Sequence, residues 1–332
     1  MFLVTAMRIM FVVPGDPSDQ PGTNMIFVRR QAESLQKEGL EVDSFYLRSR
    51  TSARVLAREF RRFRTELERF DPAVVHAHYG TMTALFAALA AGRRPLVITY
   101  RGSDLNGSLR VSRCRSLLGR LLSQAAALRA ARIVCVSRGL QQCLWWRRGK
   151  VTVLPSGVDA EVFHPEPRSA ARARLGWPEG DRVVLFNAGR DPRTKRLDLA
   201  IEAVEVARQT LPGLRLEVMS GQTGPDQVPT WMNASDCLLV TSDTEGSPTV
   251  VQEALACGLP VVSVEVGDIV ERLDRITNTR VVARDARVIG AALVELIREP
   301  LRTNGPESAR GLSLGRIAGR LRDLYAEVCG LS

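Results

Sequence analysis

Residues 243–262 read DTEGSPTVVQEALACGLPVV, with Glu245 and Glu253 on either side of a Gly-Ser-Pro turn that opens an apolar, helix-like run. Serine then proline is a strong helix start, with Ser247 as N-cap and Pro248 at the first helical position; Gly258 then ends the helix. The first turn of a helix offers free N–H groups and a positive dipole end, which together hold an anion. Thr249 and Glu253 are four residues apart and share one face. Taken alone, the segment fits a capped helix with two solvated glutamates equally well. A second stretch, NAGRDPRTKRLDLA (187–200), sharpens the chemistry. Its strand ends at Gly189, Arg190 follows at once, and Lys195 comes as the next helix begins. One short loop thus carries two cations to a strand's carboxyl end. Such charge-assisted donors suit a diphosphate, and suit even better a departing one on which negative charge grows. Lys195 is one of only three lysines, with Lys37 and Lys150, in a chain whose other cations are arginine.

The elements that must position these groups follow from periodicity. β-rich runs are expected at 8–13, 41–47, 73–78, 96–100, 132–137 and 150–155, with helical patterns near 24–38, 52–70, 81–91, 111–130 and 138–147. A Pro/Gly-rich stretch at 164–181 reads as a linker. Strands then resume at 182–188, 214–220, 236–242, 260–266 and 279–284, separated by helices at 195–210, 229–234, 248–257 and 285–298. An amphipathic pattern over 308–329 closes the chain. Strands joined by helices of this length build right-handed βαβ units. The fold class is therefore α/β, with two Rossmann-like doubly wound domains: 1–160, 161–306, and a terminal helix over 307–332 returning to the first domain. In such sheets the ligand sits beyond the carboxyl ends of the strands, and two such domains are expected to face each other across a cleft.

The first half offers further groups beyond its strand ends. A Gly/Pro-rich loop containing Gly22, Thr23 and Asn24 follows the first strand, where backbone approaches a phosphate or sugar; without a G-x-G-x-x-G pattern it does not specify a dinucleotide. HAHYGTMTA (76–84) supplies His76 and His78, and TYRGSDLNG (99–107) supplies Arg101, Ser103 and Asp104. His76 reads as a cap or turn former.

The 332 residues are too many for a single compact core and suit two domains. An apolar content of 45% and a charged content of 25% are those of a globular chain. The six cysteines are scattered through apolar runs without metal-ligand spacing, and read as buried thiols of a reducing, cytoplasmic compartment. The apolar opening MFLVTAMRIMFVV is too short to span a bilayer and reads as a few leader residues entering the first strand. Residues 1–150 hold 25 Lys+Arg against 11 Asp+Glu, a net of +14, whereas residues 151–332 hold 21 against 25, a net of −4. Two bodies with different partners are implied. Helix 52–70 sets Leu56, Phe60, Phe63, Leu67 and Phe70 at helical spacing, with Arg54, Arg58, Arg61 and Arg62 around them. With the arginines of 110–132, it is expected to face an anionic membrane surface and to bring the first domain to a lipid-linked acceptor. Nucleic acid is not expected, because the aromatics, 5% of the chain, are not interleaved with the basic runs.

Six ordered motifs over about residues 10–310 carry a resemblance. EGSPTVVQE resembles the E-x7-E element, and AGRDPRTK the G-R-x4-K loop, of GT-B glycosyltransferases of the retaining family 4, or group 1, type. VVHAHYG, RGSDL, VCVSRGL and VLPSGVDAEVFHP resemble, in order, elements of that family's first domain and crossover. The resemblance implies transfer of a sugar from a nucleotide-sugar to a glycan, lipid-linked or small-molecule acceptor, with retention, without a metal or other cofactor. It further implies that Arg190 and Lys195, with Gly189, bind the diphosphate. Glu245 contacts the donor sugar, Gly246, Ser247, Pro248 and Thr249 line sugar and phosphates, and Glu253 holds the ribose. Gly22, Thr23 and Asn24 close over the phosphates. Arg101 and Asp104 join the catalytic set, with His78 and Ser103 on the acceptor side. The chain departs from the pattern in three places. Arg101-Gly102 stands where many relatives have His-Gly, and a guanidinium cannot transfer protons as histidine does. Ser156 replaces an asparagine. The second domain is short between 221 and 233, where relatives usually have another strand and helix. A same-fold epimerase or hydrolase, and a non-catalytic partner protein, stay open as alternatives on these residues.

Overall fold

The computed structural model describes residues 6–15, 25–107, 111–189 and 191–331. Among the described residues, eleven strands form two sheets. The first holds β1 (Arg8–Pro14), β2 (Glu41–Leu47), β3 (Val74–His78), β4 (Leu96–Tyr100), β5 (Arg132–Cys135) and β6 (Val151–Val153). The second holds β7 (Val183–Gly189), β8 (Arg215–Ser220), β9 (Cys237–Val240), β10 (Val261–Val264) and β11 (Thr279–Val282). Every neighbouring pair is parallel, as strands linked by helices must be. The spatial orders are β2-β1-β3-β4-β5-β6 and β11-β10-β9-β7-β8. Counted from its own first strand, each sheet follows a 2-1-3-4-5 order, which the first extends by a sixth strand, so each reverses direction once: between β1 and β3, and between β7 and β9. At such a reversal the loops leaving adjacent strands diverge and leave room for a ligand.

The chain divides into two compact units, Met1–Gly157 with Leu314–Ser332, and Val158–Ser313. Strands β3 and β4 are buried at every position, as parallel strands covered on both faces must be. In the first unit, Phe45, Phe63 and Phe86 lie at the centre of the core, with the Phe45 and Phe63 rings 4.7 Å apart. The closing helix Leu314–Val328 belongs to this unit, where it packs on helix Ile26–Lys37. Tyr325 Oη lies 2.6 Å from His76 Nδ1, and Thr99 Oγ1 lies 2.7 Å from the other ring nitrogen. His76 is thus a fully buried strand residue that ties the closing helix to β3, not a turn former.

Three further readings change. The stretch 164–181 is not an open linker: it holds helix Arg168–Leu175, whose N-cap is Pro167 and whose C-cap is Gly176 at φ 67°. Buried Arg172 anchors that helix, donating to Asp236 at 2.9 Å and to Ala234 O at 2.9 Å. The closing pattern splits into helices Gly305–Arg310 and Leu314–Val328, the first of them in the second unit. Cysteines 135, 237 and 257 are buried, but Cys114 is exposed and Cys143 and Cys329 are partly so. No described helix is long and apolar enough to cross a membrane.

Candidate functional site

The second unit gathers its polar residues at the β7/β9 reversal. β7 ends at Gly189, whose φ of +52° favours glycine and whose N–H reaches Asn187 Oδ1 at 3.0 Å. Arg190 lies outside the described residues. Asp191 then caps the short helix Pro192–Lys195, accepting from Thr194 N at 3.3 Å and Thr194 Oγ1 at 2.6 Å. From the neighbouring strand end, Thr241 Oγ1 lies 2.9 Å from Lys195 O and 3.0 Å from Arg196 O, while Asp243 N donates to Thr194 O at 2.9 Å. These bonds join the two loops. Their product is an ion pair between Lys195 Nζ and Glu245 Oε1, with the side chains 26% and 16% exposed. Sequence reasoning gave these two residues separate roles, and the structure places them in contact.

The turn after Glu245 differs from expectation. Pro248 is the N-cap, helix Thr249–Ala256 starts one residue later, and no side chain caps it. Ser247 Oγ turns away from the helix start and donates instead to Asp268 Oδ2 at 2.9 Å, while accepting from Gln252 Nε2 at 3.2 Å. Asp268 also pairs with Arg272 at 2.9 Å. Burial raises its pKa, and Arg272 and Ser247 oppose the rise. Gly246 is buried against Gly267, where an added Cβ would sit 3.1 Å from Gly246 O and 3.2 Å from Glu245 Cβ; with φ at +61°, only glycine suits that crossing. Within the helix, Thr249 and Glu253 are the two positions that are not buried, so the shared face expected from their spacing is the one open to solvent.

Sequence reasoning missed Asp243, Arg196, Arg284 and Asp268. Arg196 and Arg284 converge on Asp243 at 3.3 and 3.2 Å, and Arg284 also donates to Thr241 O and Ser242 O at 2.6 and 2.8 Å. A signal existed for Arg284: it follows β11 as Lys195 follows β7, at a strand's carboxyl end. Asp268 had none, because its partners lie 21 residues earlier and one turn later. Among the described residues, no three His, Cys, Asp or Glu side chains come together as a metal would require.

The first unit arranges its candidates differently. Gly22, Thr23 and Asn24 lie outside the described residues. Asp104 is fully buried, and backbone amides occupy its carboxylate: Gly80 N at 2.9 Å, Gly102 N at 2.8 Å and Arg101 N at 3.1 Å. It therefore fixes the loops after β3 and β4, where the sequence suggested a catalytic, acceptor-side carboxylate. Ser103 Oγ pairs with Tyr79 Oη at 2.6 Å. The Arg101 guanidinium lies over the Phe27 ring, 4.1 Å from its centroid. It donates to Ser156 Oγ at 2.9 Å, Gln31 Oε1 at 3.3 Å and His78 Nδ1 at 3.2 Å. Burial pulls its pKa down to about 10, so it stays charged at neutral pH. Because arginine can only donate, His78 Nδ1 accepts and the proton sits on Nε2, which is buried with no partner among the described residues. Burial, then His76 and Arg101, hold the His78 pKa well below that of a free imidazole.

Two doubly wound parallel sheets with a polar cluster at a strand-order reversal define a GT-B architecture. The fold matches known examples: sucrose-phosphate synthase from Thermosynechococcus elongatus superposes with a TM-score of 0.82 at 20% identity, over 98% of this chain and all of that one. HepE of Anabaena, solved in complex with UDP and glucose, gives 0.74 at 18% identity, over 97% of this chain and all of HepE. In sequence, the model described as Glycosyltransferase Family 4 matches residues 20–162, and that described as Glycosyl transferases group 1 matches residues 188–299. The chain belongs to this family of group 1, family 4 glycosyltransferases. D-inositol 3-phosphate glycosyltransferase of Nocardiopsis dassonvillei is 28% identical over 228 residues, which are 57% of this chain and 53% of the relative. The chain spans about half the length of such curated relatives.

Proposed function

We propose that this chain transfers a sugar from a nucleotide-sugar to the hydroxyl of a glycan, lipid-linked or small-molecule acceptor, with retention of anomeric configuration and without a metal. The observation that carries the reading is the Lys195–Glu245 pair, held at the β7/β9 reversal beside the uncapped start of helix Thr249–Ala256. A diphosphate takes over the Lys195 ammonium, freeing Glu245 to accept hydrogen bonds from the donor sugar. As the glycosidic bond breaks, negative charge gathers on the leaving diphosphate; Lys195, Arg190 and the helix N–H groups stabilise it, which is the work a metal does elsewhere. Glu253, on the open face of the helix, takes the ribose hydroxyls. Arg101 lies on the acceptor side, where it orients a substrate oxygen but cannot move a proton. Family membership supports the donor class and retention, and the UDP and glucose seen in HepE support a nucleotide-sugar. The six unpaired cysteines support a cytoplasmic setting.

Thermal melting with UDP-, GDP-, ADP-, CMP- and dTDP-linked sugars tests the reading and identifies the base. One base is expected to raise the melting temperature, and an acceptor added with that donor should yield a product of unchanged anomeric configuration by NMR. No stabilisation by any donor, or an inverted product, defeats the proposal. Consumption of donor without acceptor points instead to an epimerase or hydrolase.

A further inference from the structure

The first unit's helix Arg113–Arg129 is built inside out. Its inward face is small or polar: Ser123, Gln124, Ala126 and Ala127 are buried, and Gly119 lies against Thr81, where an added Cβ would stand 3.2 Å from Thr81 Cγ2. The large apolar side chains point the other way. Leu117, Leu118, Leu121 and Leu128 are 42–54% exposed, and their spacing of three, four and seven residues sets them on one stripe. Trp145 and Trp146 extend the stripe, at 49% and 36% exposed. Trp146 Nε1 donates to Gln124 O at 2.8 Å and Trp145 N to Gln124 Oε1 at 3.1 Å, which ties the Trp146 indole and the Trp145 backbone to the last turns of the helix. An exposed apolar surface of this kind marks a docking face.

Charge identifies what docks. Residues 105–158 contain ten Lys+Arg and no Asp or Glu. Arg113, Arg115, Arg147 and Arg148 are exposed within this segment. A second copy of the chain would set this cationic face against its own like charge, whereas an anionic lipid surface satisfies both features: headgroups meet the arginines while leucines and indoles enter the acyl boundary. Helix Ala53–Phe70, which the sequence offered for this contact together with the arginines of 110–132, keeps Arg54, Arg58 and Arg61 exposed but presents no such apolar stripe. Phe63 and Leu67 are buried, and Arg62 is engaged by Glu59 at 2.5 Å and by Tyr46 O at 2.8 Å.

We infer that the face formed by Leu117, Leu118, Leu121, Leu128, Trp145 and Trp146 docks this chain onto anionic membrane. The inference does not depend on the proposed activity, and its test needs no substrate. Full-length protein is sedimented with phosphatidylcholine vesicles and with vesicles containing phosphatidylglycerol. Binding to the anionic vesicles only is expected, weakening with salt and accompanied by a blue shift of tryptophan emission that Trp145→Ala and Trp146→Ala together abolish. The variant Leu118→Glu/Leu121→Glu alters exposed positions, so its melting temperature should match the parent; its affinity for anionic vesicles should fall about tenfold or more. Arg147→Glu/Arg148→Glu should also weaken binding and flatten the salt dependence. Equal binding to neutral vesicles, no binding to anionic ones, or full binding by the leucine variant overturns the inference. So does a dimer in solution that the leucine variant dissolves, which would assign the stripe to self-association.

Discussion

Charge is used in opposite ways in the two polar clusters. In the second unit, Lys195 and Glu245 neutralise each other through side chains that solvent still reaches, and Arg196 and Arg284 share Asp243 in the same manner. In the first unit, Asp104 is sealed and held by three backbone amides, and His76 is sealed between Tyr325 and Thr99. A side chain paired with another side chain near solvent can exchange its partner for a ligand. A carboxylate gripped by backbone cannot, because release leaves buried N–H groups unsatisfied. The difference separates residues available for chemistry from residues that shape the loops around them.

The largest expected effect tests the sealed side. Asp104→Ala strands the amides of Gly80, Arg101 and Gly102, and should cost about 3–5 kcal/mol in urea unfolding. A cost under about 1 kcal/mol would mean that Asp104 is as free as Lys195 and would erase the contrast. Lys195→Ala is the counterpart. It should lower kcat/KM by about 10²–10³, equivalent to about 3–4 kcal/mol in the barrier, with little change in melting temperature. A variant that keeps its turnover, or one that fails to fold, would place Lys195 with Asp104 among the structural residues.

Acidification should separate the clusters next. Burial, then Arg101, holds His76 down to about 3 in the folded chain against 6.5 when free. The unfolded state therefore binds more protons between those values, so this stability is complete above pH 6.5 and drains away as pH falls toward 3. At pH 5 the loss from His76 alone is about 2 kcal/mol. Urea titrations at pH 7.5 and pH 5 measure it. His76→Gln should start less stable at pH 7.5 and lose less on the way to pH 5; an unchanged slope would show that His76 is not the proton sink.

Most of the architecture was legible in the chain because parallel strands covered on both faces are written as unbroken apolar runs. All eleven expected strands are present, with ends that differ by at most two residues. The helix Arg168–Leu175 was missed for an instructive reason. Pro167 and Gly176 look like loop punctuation, yet they are the two ends of a helix, a capping proline and a left-handed glycine. Lys195 and Glu245 were each legible, since both follow strand ends, but their contact was not: it depends on β7 and β9 being neighbours, which is a property of the sheet order. The sealing of Asp104 was equally hidden, because one of its amides belongs to Gly80, 24 residues earlier.

The smallest effect concerns Ser247, which the sequence placed as a helix cap and the structure turns toward Asp268. Ser247→Ala should cost about 1 kcal/mol at neutral pH under either arrangement, so the cost at that pH alone decides nothing. Its pH dependence does. Asp268 has a raised pKa in the folded state, and its hydrogen bond from Ser247 favours the ionised form. The serine therefore contributes most above the folded pKa, and its removal should matter less as pH falls through that value and Asp268 takes up a proton. A cap on backbone amides would lose the same amount at pH 7 and pH 4. Urea titrations of parent and variant at the two values distinguish them: a shrinking difference keeps Ser247 with Asp268, and a constant one returns it to the helix.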